Sequence, residues 1–387
     1  MKLLIVLICF LLTGCSPSGL SETVQTTFTS VPETTVQPTA PTETTVPETA
    51  AYDPIKEIIG DMSLQERVGQ LFLARCDDTV ALTDIENYHL GGFVLFGQDF
   101  EAQTPDSMRQ KLSGYQAAAK LPLLIAVDEE GGTVTRVSSN PNFRSSRFPS
   151  PRSAYAQGGM DLVSDLETEK IQLLTSLGIN VNLGPVCDIT TDPNAFMYQR
   201  SLGQDPYETS DFVSGTVTSM KHGSLGSCLK HFPGYGNNVD THTGIATDSR
   251  SLVELESQDL VPFAAGIAAG CDAILVSHTV VEALDPLIPA SLSPAVHAYL
   301  RNEMGFDGVI LTDDLVMQAI TDQYGAGEAA VLAVLAGNDL LCSTDYRTQY
   351  NAVYQAVLDG RIDIDTLNRA VRNVLEWKMN LGLIPDI

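Results

Sequence analysis

Apolar residues in this chain gather in short blocks, and longer stretches between the blocks carry them at helical spacing. The blocks are Phe93 to Phe96, Leu121 to Val127, Ile179 to Val186, Leu225 to Leu229, Ala273 to Val276, Val309 to Leu311 and Leu340 to Leu341. The intervening stretches predict helices, including Leu162 to Leu177, Leu252 to Ala269 and Ile364 to Leu381. Asp363 or Asp365 is placed to cap the first amides of the last of these, and Gly382 follows its end. Strand alternating with helix predicts an α/β fold with a parallel sheet rather than a sandwich. An open doubly wound sheet would alternate in the same way, but the number of blocks favours a single TIM-type (β/α)8 barrel.

The first fifty residues do not share this pattern. Lys2 precedes an apolar run from Leu3 to Leu12, which is shorter than the roughly 20 residues needed to span a bilayer and reads as a signal-peptide core. Leu12, Thr13, Gly14 and Cys15 resemble a bacterial lipobox, with Cys15 as the lipidated residue. The plainer alternative is ordinary cleavage with Cys15 as a bystander. Either way the mature protein is expected outside the cytoplasm, and on the lipobox reading a lipid anchor alone holds it to the membrane. Residues 15–51 are rich in Thr, Pro and Glu and poor in large apolar side chains, so they cannot offset the entropy of ordering and form a disordered tether. The expected organisation is a signal peptide over 1–14, a tether over 15–51 and one folded domain over 52–387, working as a monomer.

Charge narrows the partners. Forty-eight acidic residues against 22 basic ones give a net charge of −26, which excludes a nucleic-acid binder that must neutralise phosphates. Of seven cysteines, Cys9 and Cys15 fall in the leader, leaving an odd five that cannot all be paired. None has the spacing of a zinc site, so neither a structural metal, an essential disulfide nor a cofactor is expected.

The blocks end in chemistry rather than in turn residues. Leu123 to Val127 runs into Asp128, Glu129 and Glu130, and Cys228-Leu229 runs into Lys230 and His231. Ile274 to Val276 leads to Ser277 and His278, and Val309 to Leu311 leads to Thr312, Asp313 and Asp314. In a barrel the carboxyl ends of all strands converge on one face, so these groups would ring a single pocket.

Six segments then point to a family. They are Ala126 to Gly132, Gly184 to Ile189, Arg200 to Gly203, Lys230 to Gly234, Asp240 to His242 and Thr312 to Leu315. Together and in this order they resemble glycoside hydrolase family 3, specifically its bacterial β-N-acetylglucosaminidase (β-N-acetylhexosaminidase) branch, over about Ile55 to Leu383. The resemblance implies that Asp313 is the catalytic nucleophile and that Asp240 and His242 form the acid/base dyad. A carboxylate beside the imidazole holds one tautomer and stabilises its charged form, which suits proton delivery to a leaving oxygen. It further implies substrate binding by Asp128, Arg136, Arg200, Lys230, His231 and His278, which offer donors and acceptors to hydroxyl and acetamido groups. Read singly, Asp314 is as well explained as a helix cap, His242 as a surface histidine and Arg136 or Arg200 as a structural ion-pair partner.

Two departures bear on the pocket rim. Thr133 stands where the family often has Arg after the Gly-Gly pair, and Gly234-Tyr235-Gly236-Asn237-Asn238 replaces the common Gly-His-Gly-Asp-Thr. The implied activity is hydrolysis with retention of terminal β-linked N-acetylglucosamine from peptidoglycan or chitin fragments, with phosphate as a less favoured acceptor than water. A β-glucosidase or β-xylosidase of the same family, and a non-catalytic sugar-binding lipoprotein, are the alternatives.

Overall fold

The computed structural model describes residues 52–238 and 244–385. The signal segment, the tether with Cys15, and the Asp240 and His242 pair therefore lie outside the described residues. Among the described residues ten strands occur: β1 (Phe72–Arg75), β2 (Gly92–Leu95), β3 (Leu124–Val127), β4 (Val181–Asn182), β5 (Gly226–Phe232), β6 (Thr247–Asp248), β7 (Ala273–Val276), β8 (Val280–Val281), β9 (Val309–Thr312) and β10 (Leu341–Ser343). Eight form one parallel sheet in the order β10-β1-β2-β3-β4-β5-β7-β9, and β6 pairs with β8 beside it. A parallel bridge between Leu311 and Leu340 joins the two ends. Apart from the side pair and the β10–β1 pairing that brings the first and last strands together, neighbours in the sheet are neighbours in the chain. A doubly wound sheet reverses its strand order part-way, so this order and its closure settle the choice for a TIM-type α/β barrel.

Each strand of the ring buries both faces, which is why the sequence shows blocks rather than alternation. One face points into the ring: Leu73, Val94, Leu124, Ala126, Val181, Leu183, Cys228, Ala273, Leu275, Val309, Leu311, Leu340 and Cys342 pack together there. The other face meets helices, with Phe72, Phe93, Ile125 and Val127 packed against residues such as Leu112, Leu174 and Val353. All five described cysteines are buried free thiols, which act as small hydrophobes.

Sequence and structure differ in three instructive places. The block Leu71 to Ala74 was not read as a strand, because the helix Leu64–Gln70 ends one residue before it and its apolar run looks like that helix continued. The stretch Leu252 to Ala269, expected as one helix, is two: Leu252–Ser257 and Leu260–Ala268, separated at Gln258 and Asp259. Asp259 is buried and its carboxylate takes a bond from Arg250, so the chain turns inward there. The helix expected from Leu162 starts at Pro151, capped by Ser150, and runs to Ser176 across a break at Gly158 and Gly159. The last helix, Ile364–Asn380, meets expectation, with the Asp363 side chain accepting from the Thr366 amide.

That last helix carries an unusual buried cation. Lys378 donates from Nζ to Gln70 Oε1 at 2.6 Å and has no surface exposed. Burial pushes its ammonium down to about 7 from the usual 10.5. Between those values the unfolded chain binds a proton that the folded one does not, so this lysine makes stability rise with pH across the window and lowers it most below pH 7. Lys378→Met removes the dependence. Denaturant midpoints of variant and parent, measured from pH 6 to 9, should therefore show the variant's relative stability falling as pH rises, by up to about 1.4 kcal/mol per unit. A pH-independent difference would contradict the assignment.

Candidate active site

Strand periodicity decides which side chains reach the pocket. Following the inward face to the last residue of β1 and just past the ends of the other strands gives Arg75 after Leu73, Phe96 after Val94, Asp128 after Ala126, Asp313 after Leu311 and Thr344 after Cys342. All five line a cavity of about 1140 Å³ at the carboxyl ends of the strands. Strand β5 breaks the rule usefully. Its ladder with β7 shifts between Leu229 and Phe232, and successive residues Lys230 and His231 both line the cavity. Arg136 and Arg200 complete the set from the loops after β3 and β4.

A buried ionic network forms the floor. Lys230 Nζ lies 2.6 Å from Asp128 Oδ1 and 2.7 Å from Glu130 Oε1, while Arg136 reaches Asp128 Oδ2 at 3.3 Å. Arg200 grips Glu130 with two bonds, of 2.8 Å from Nε and 2.6 Å from Nη2. Burial alone would push the Glu130 carboxyl up. The charges of Arg200 and Lys230 outweigh it and hold the group well below the usual carboxylate range. Burial likewise opposes the Lys230 charge, and Asp128 and Glu130 more than restore it. Charges this deep persist only because each is paired and hydrogen-bonded.

His231 is fixed in one tautomer by its neighbours. Arg200 Nη2 lies 3.1 Å from His231 Nε2, and a guanidinium only donates, so Nε2 accepts. The proton therefore sits on Nδ1, which donates to Asp188 Oδ2 at 2.8 Å. Asp188 also accepts from the backbone amides of His231 and Tyr235, at 3.1 and 2.8 Å. Tyr235 in turn stands edge-on to His231 and to Phe196, and both aromatics line the cavity.

On the far side of the ring stands Asp313. Strands β3 and β9 are four places apart in a ring of eight, so Asp128 and Asp313 face each other across the mouth. The Asp313 amide donates to Val276 O at 3.2 Å, and its Oδ1 accepts from the Asp314 amide at 2.9 Å. Asp314 is committed to structure: its carboxylate accepts from the amides of Val316 and Thr344 and from the Thr344 hydroxyl.

Of the residues singled out from sequence, the structure thus brings together Asp128, Arg136, Arg200, Lys230, His231 and Asp313. His278 stands apart from the cavity lining. It follows Ser277 on the outward parity of β7, is fully buried, and bonds the Ser291 hydroxyl at 2.7 Å and the Asp314 carbonyl at 3.0 Å. The sequence reading gives no site role to Asp188, Arg75, Phe96, Phe196 or Tyr235, and Glu130, expected in the ring of polar strand ends, lies behind the cavity lining. Glu130 and Asp188 sat inside two of the six segments, whereas Arg75 belonged to the strand that went unread. As for metal ligands, among the described residues Cys76, Asp78 and Asp99 come close enough to share an ion, but Lys111 and Tyr115 already bond Asp78, and none of the three lines this cavity.

The family model for the glycosyl hydrolase family 3 N-terminal domain matches residues 63–377, four-fifths of the chain and every strand of the ring. The chain belongs to glycosyl hydrolase family 3. Among its relatives, the beta-hexosaminidase LpqI of Mycobacterium tuberculosis is 29% identical over 95% of this chain and 94% of its own. A beta-hexosaminidase of Xylella fastidiosa is 35% identical over 77% of this chain and 88% of its own. Among solved structures, a family 3 beta-N-acetylglucosaminidase from Paenibacillus superposes with a TM-score of 0.78 at 32% identity, covering 84% of this chain and 64% of its own. The M. tuberculosis LpqI structure gives 0.76 at 30% identity, with 84% and 96% covered.

The ionic floor makes a quantitative expectation. Replacing Glu130 by Gln leaves Arg200 and Lys230 undercompensated in a dry site, and should lower stability by about 3–5 kcal/mol, read as a shift of the denaturation midpoint. Glu328→Gln breaks the exposed pair with Arg361 and should shift it little. Equal shifts would show that the floor is not the dry, tightly paired network described.

Proposed function

We propose that this chain is a retaining β-N-acetylhexosaminidase that releases terminal β-linked N-acetylglucosamine from wall muropeptides or chitin fragments, working outside the cytoplasm on a lipid anchor at Cys15. Membership of family 3 and relatives named beta-hexosaminidase support the chemistry. The lipobox-like leader and the tether support the location.

The observation that carries the mechanism is where the pocket's carboxylates stand. Among the described lining residues these are Asp128, Asp313 and Asp314. Asp128 is tied to Lys230 and Arg136 and Asp314 to Thr344, and Asp313 ends β9 on the inward phase opposite the ionic floor, a position from which its carboxylate can attack a sugar held by that floor. No second carboxylate is left among them to deliver a proton, which favours an acid/base of another kind, the His242 imidazole oriented by Asp240.

The sequence of events follows. An Asp313 oxygen bonds to the anomeric carbon as the bond to the leaving oxygen breaks, and imidazolium His242 gives that oxygen its proton. Water then attacks the same carbon, its proton passes to His242, and the bond to Asp313 breaks. Two inversions give net retention. Asp128, Arg136, Lys230, Arg200 and His231 hold the sugar hydroxyls from the opposite wall, where their fixed geometry costs no reorganisation during reaction.

Turnover of 4-nitrophenyl N-acetyl-β-glucosaminide should exceed that of the β-glucoside and β-xyloside, with the β-anomer of the sugar as first product by NMR. Asp313→Ala should lower kcat by about a thousandfold or more. Comparable rates on all three substrates would favour the β-glucosidase reading, and sugar binding without turnover would favour a receptor.

A further inference from the structure

The segment proposed to carry the acid/base dyad follows β5 and precedes the side strand β6, and the described stems on both its flanks rest on one ion-paired guanidinium. On the returning stem, Arg250 donates from Nε and Nη2 to the Asp248 carboxylate at 2.6–3.0 Å, and from its backbone amide to Asp248 Oδ1 at 3.0 Å. Its Nη1 donates to Asp259 Oδ2 at 2.5 Å, across the break between the helices Leu252–Ser257 and Leu260–Ala268. Both carboxylates are almost wholly buried.

The departing stem lies on the same pair. A β-carbon on Gly234 would stand 2.6 Å from Asp259 Oδ1, and one on Gly236 would stand 2.7 Å from Arg250 Cζ. Both glycines have positive φ, 115° and 54°, so the backbone there has been shaped to lie against the ion pair. Between them, the Tyr235 amide is held by Asp188, the same carboxylate that orients His231. The returning stem is further fixed by the β6–β8 pairing, with the Val280 amide on Ala246 O and the Glu282 amide on Asp248 O, each at 2.9 Å.

We infer that Arg250, clamped between Asp248 and Asp259, is a positioning residue for general acid catalysis: it fixes the take-off and return of the segment carrying Asp240 and His242, and touches no substrate. The break in the helical stretch 252–268 then has a purpose, since it turns Asp259 inward to complete the clamp. The inference rests on the proposed acid role of His242.

Loss of the clamp should harm proton delivery and spare nucleophilic attack. A dinitrophenyl N-acetylglucosaminide needs almost no protonation of its leaving group, whereas chitobiose needs it fully. In Arg250→Gln, kcat/KM for chitobiose should fall about tenfold or more, within the range that general acids contribute, while that for the dinitrophenyl glycoside changes less than about twofold. Arg250→Lys, which keeps the charge without the fork, should show the same asymmetry more weakly and covers the case that the first variant does not fold. Equal losses on both substrates, or none on either, would overturn the inference. His242→Ala is the reference: if it too lacks the asymmetry while the parent enzyme turns over both substrates, the acid assignment itself fails and the inference falls with it. If Arg250→Gln alone lacks it, only the inference falls.

Discussion

A parallel strand turns every second side chain inward, and closing eight such strands into a ring gives all the inward chains one shared interior. Everything else about this protein follows from where that interior stops being apolar. Below the mouth the inward positions are Leu, Val, Ala and Cys, which fill the ring. One step higher the same faces carry Arg75, Phe96, Asp128, Lys230, Asp313 and Thr344, and the filled core becomes a cavity. Residues 185 positions apart in sequence, Asp128 and Asp313, face each other because each ends its own strand on the inward phase.

Collecting charge at the end of a dry ring is costly, and the floor shows how the cost is offset. Glu130 sits behind the lining and neutralises Lys230 and Arg200 together, while Asp128 is shared by Lys230 and Arg136. Through Arg200 the network reaches His231, and through His231 it reaches Asp188. The donors that line the pocket are therefore held in fixed positions by the network itself. Such preorganisation is where this fold places its electrostatic effort.

Much of this was readable in the sequence. Blocks alternating with amphipathic stretches indicated the barrel, and the polar residues closing the blocks indicated the pocket. What escaped did so for local reasons. The strand Phe72–Arg75 hid behind an adjoining helix, and Arg75 was missed with it. His278, which the family resemblance implies as a binding residue, also follows a block, and counting phase from Leu275 puts Ser277 inward and His278 outward, against Ser291 and the Asp314 carbonyl. Glu130 carries the opposite lesson, since it is a buried partner whose importance appears only when Arg200, 70 residues later, folds back onto it.

The central claim is that Asp313 forms a glycosyl bond during turnover. A slowly released, ring-fluorinated N-acetylglucosaminyl donor, incubated with the full domain and followed by peptide mass spectrometry, tests it most directly. The account predicts one sugar adduct per chain, on the peptide Val309 to Met317, assigned by fragmentation to Asp313 and absent from Asp313→Asn. An adduct on Asp128 or Asp314, or release of the donor's leaving group with no covalent species at any time, would contradict it.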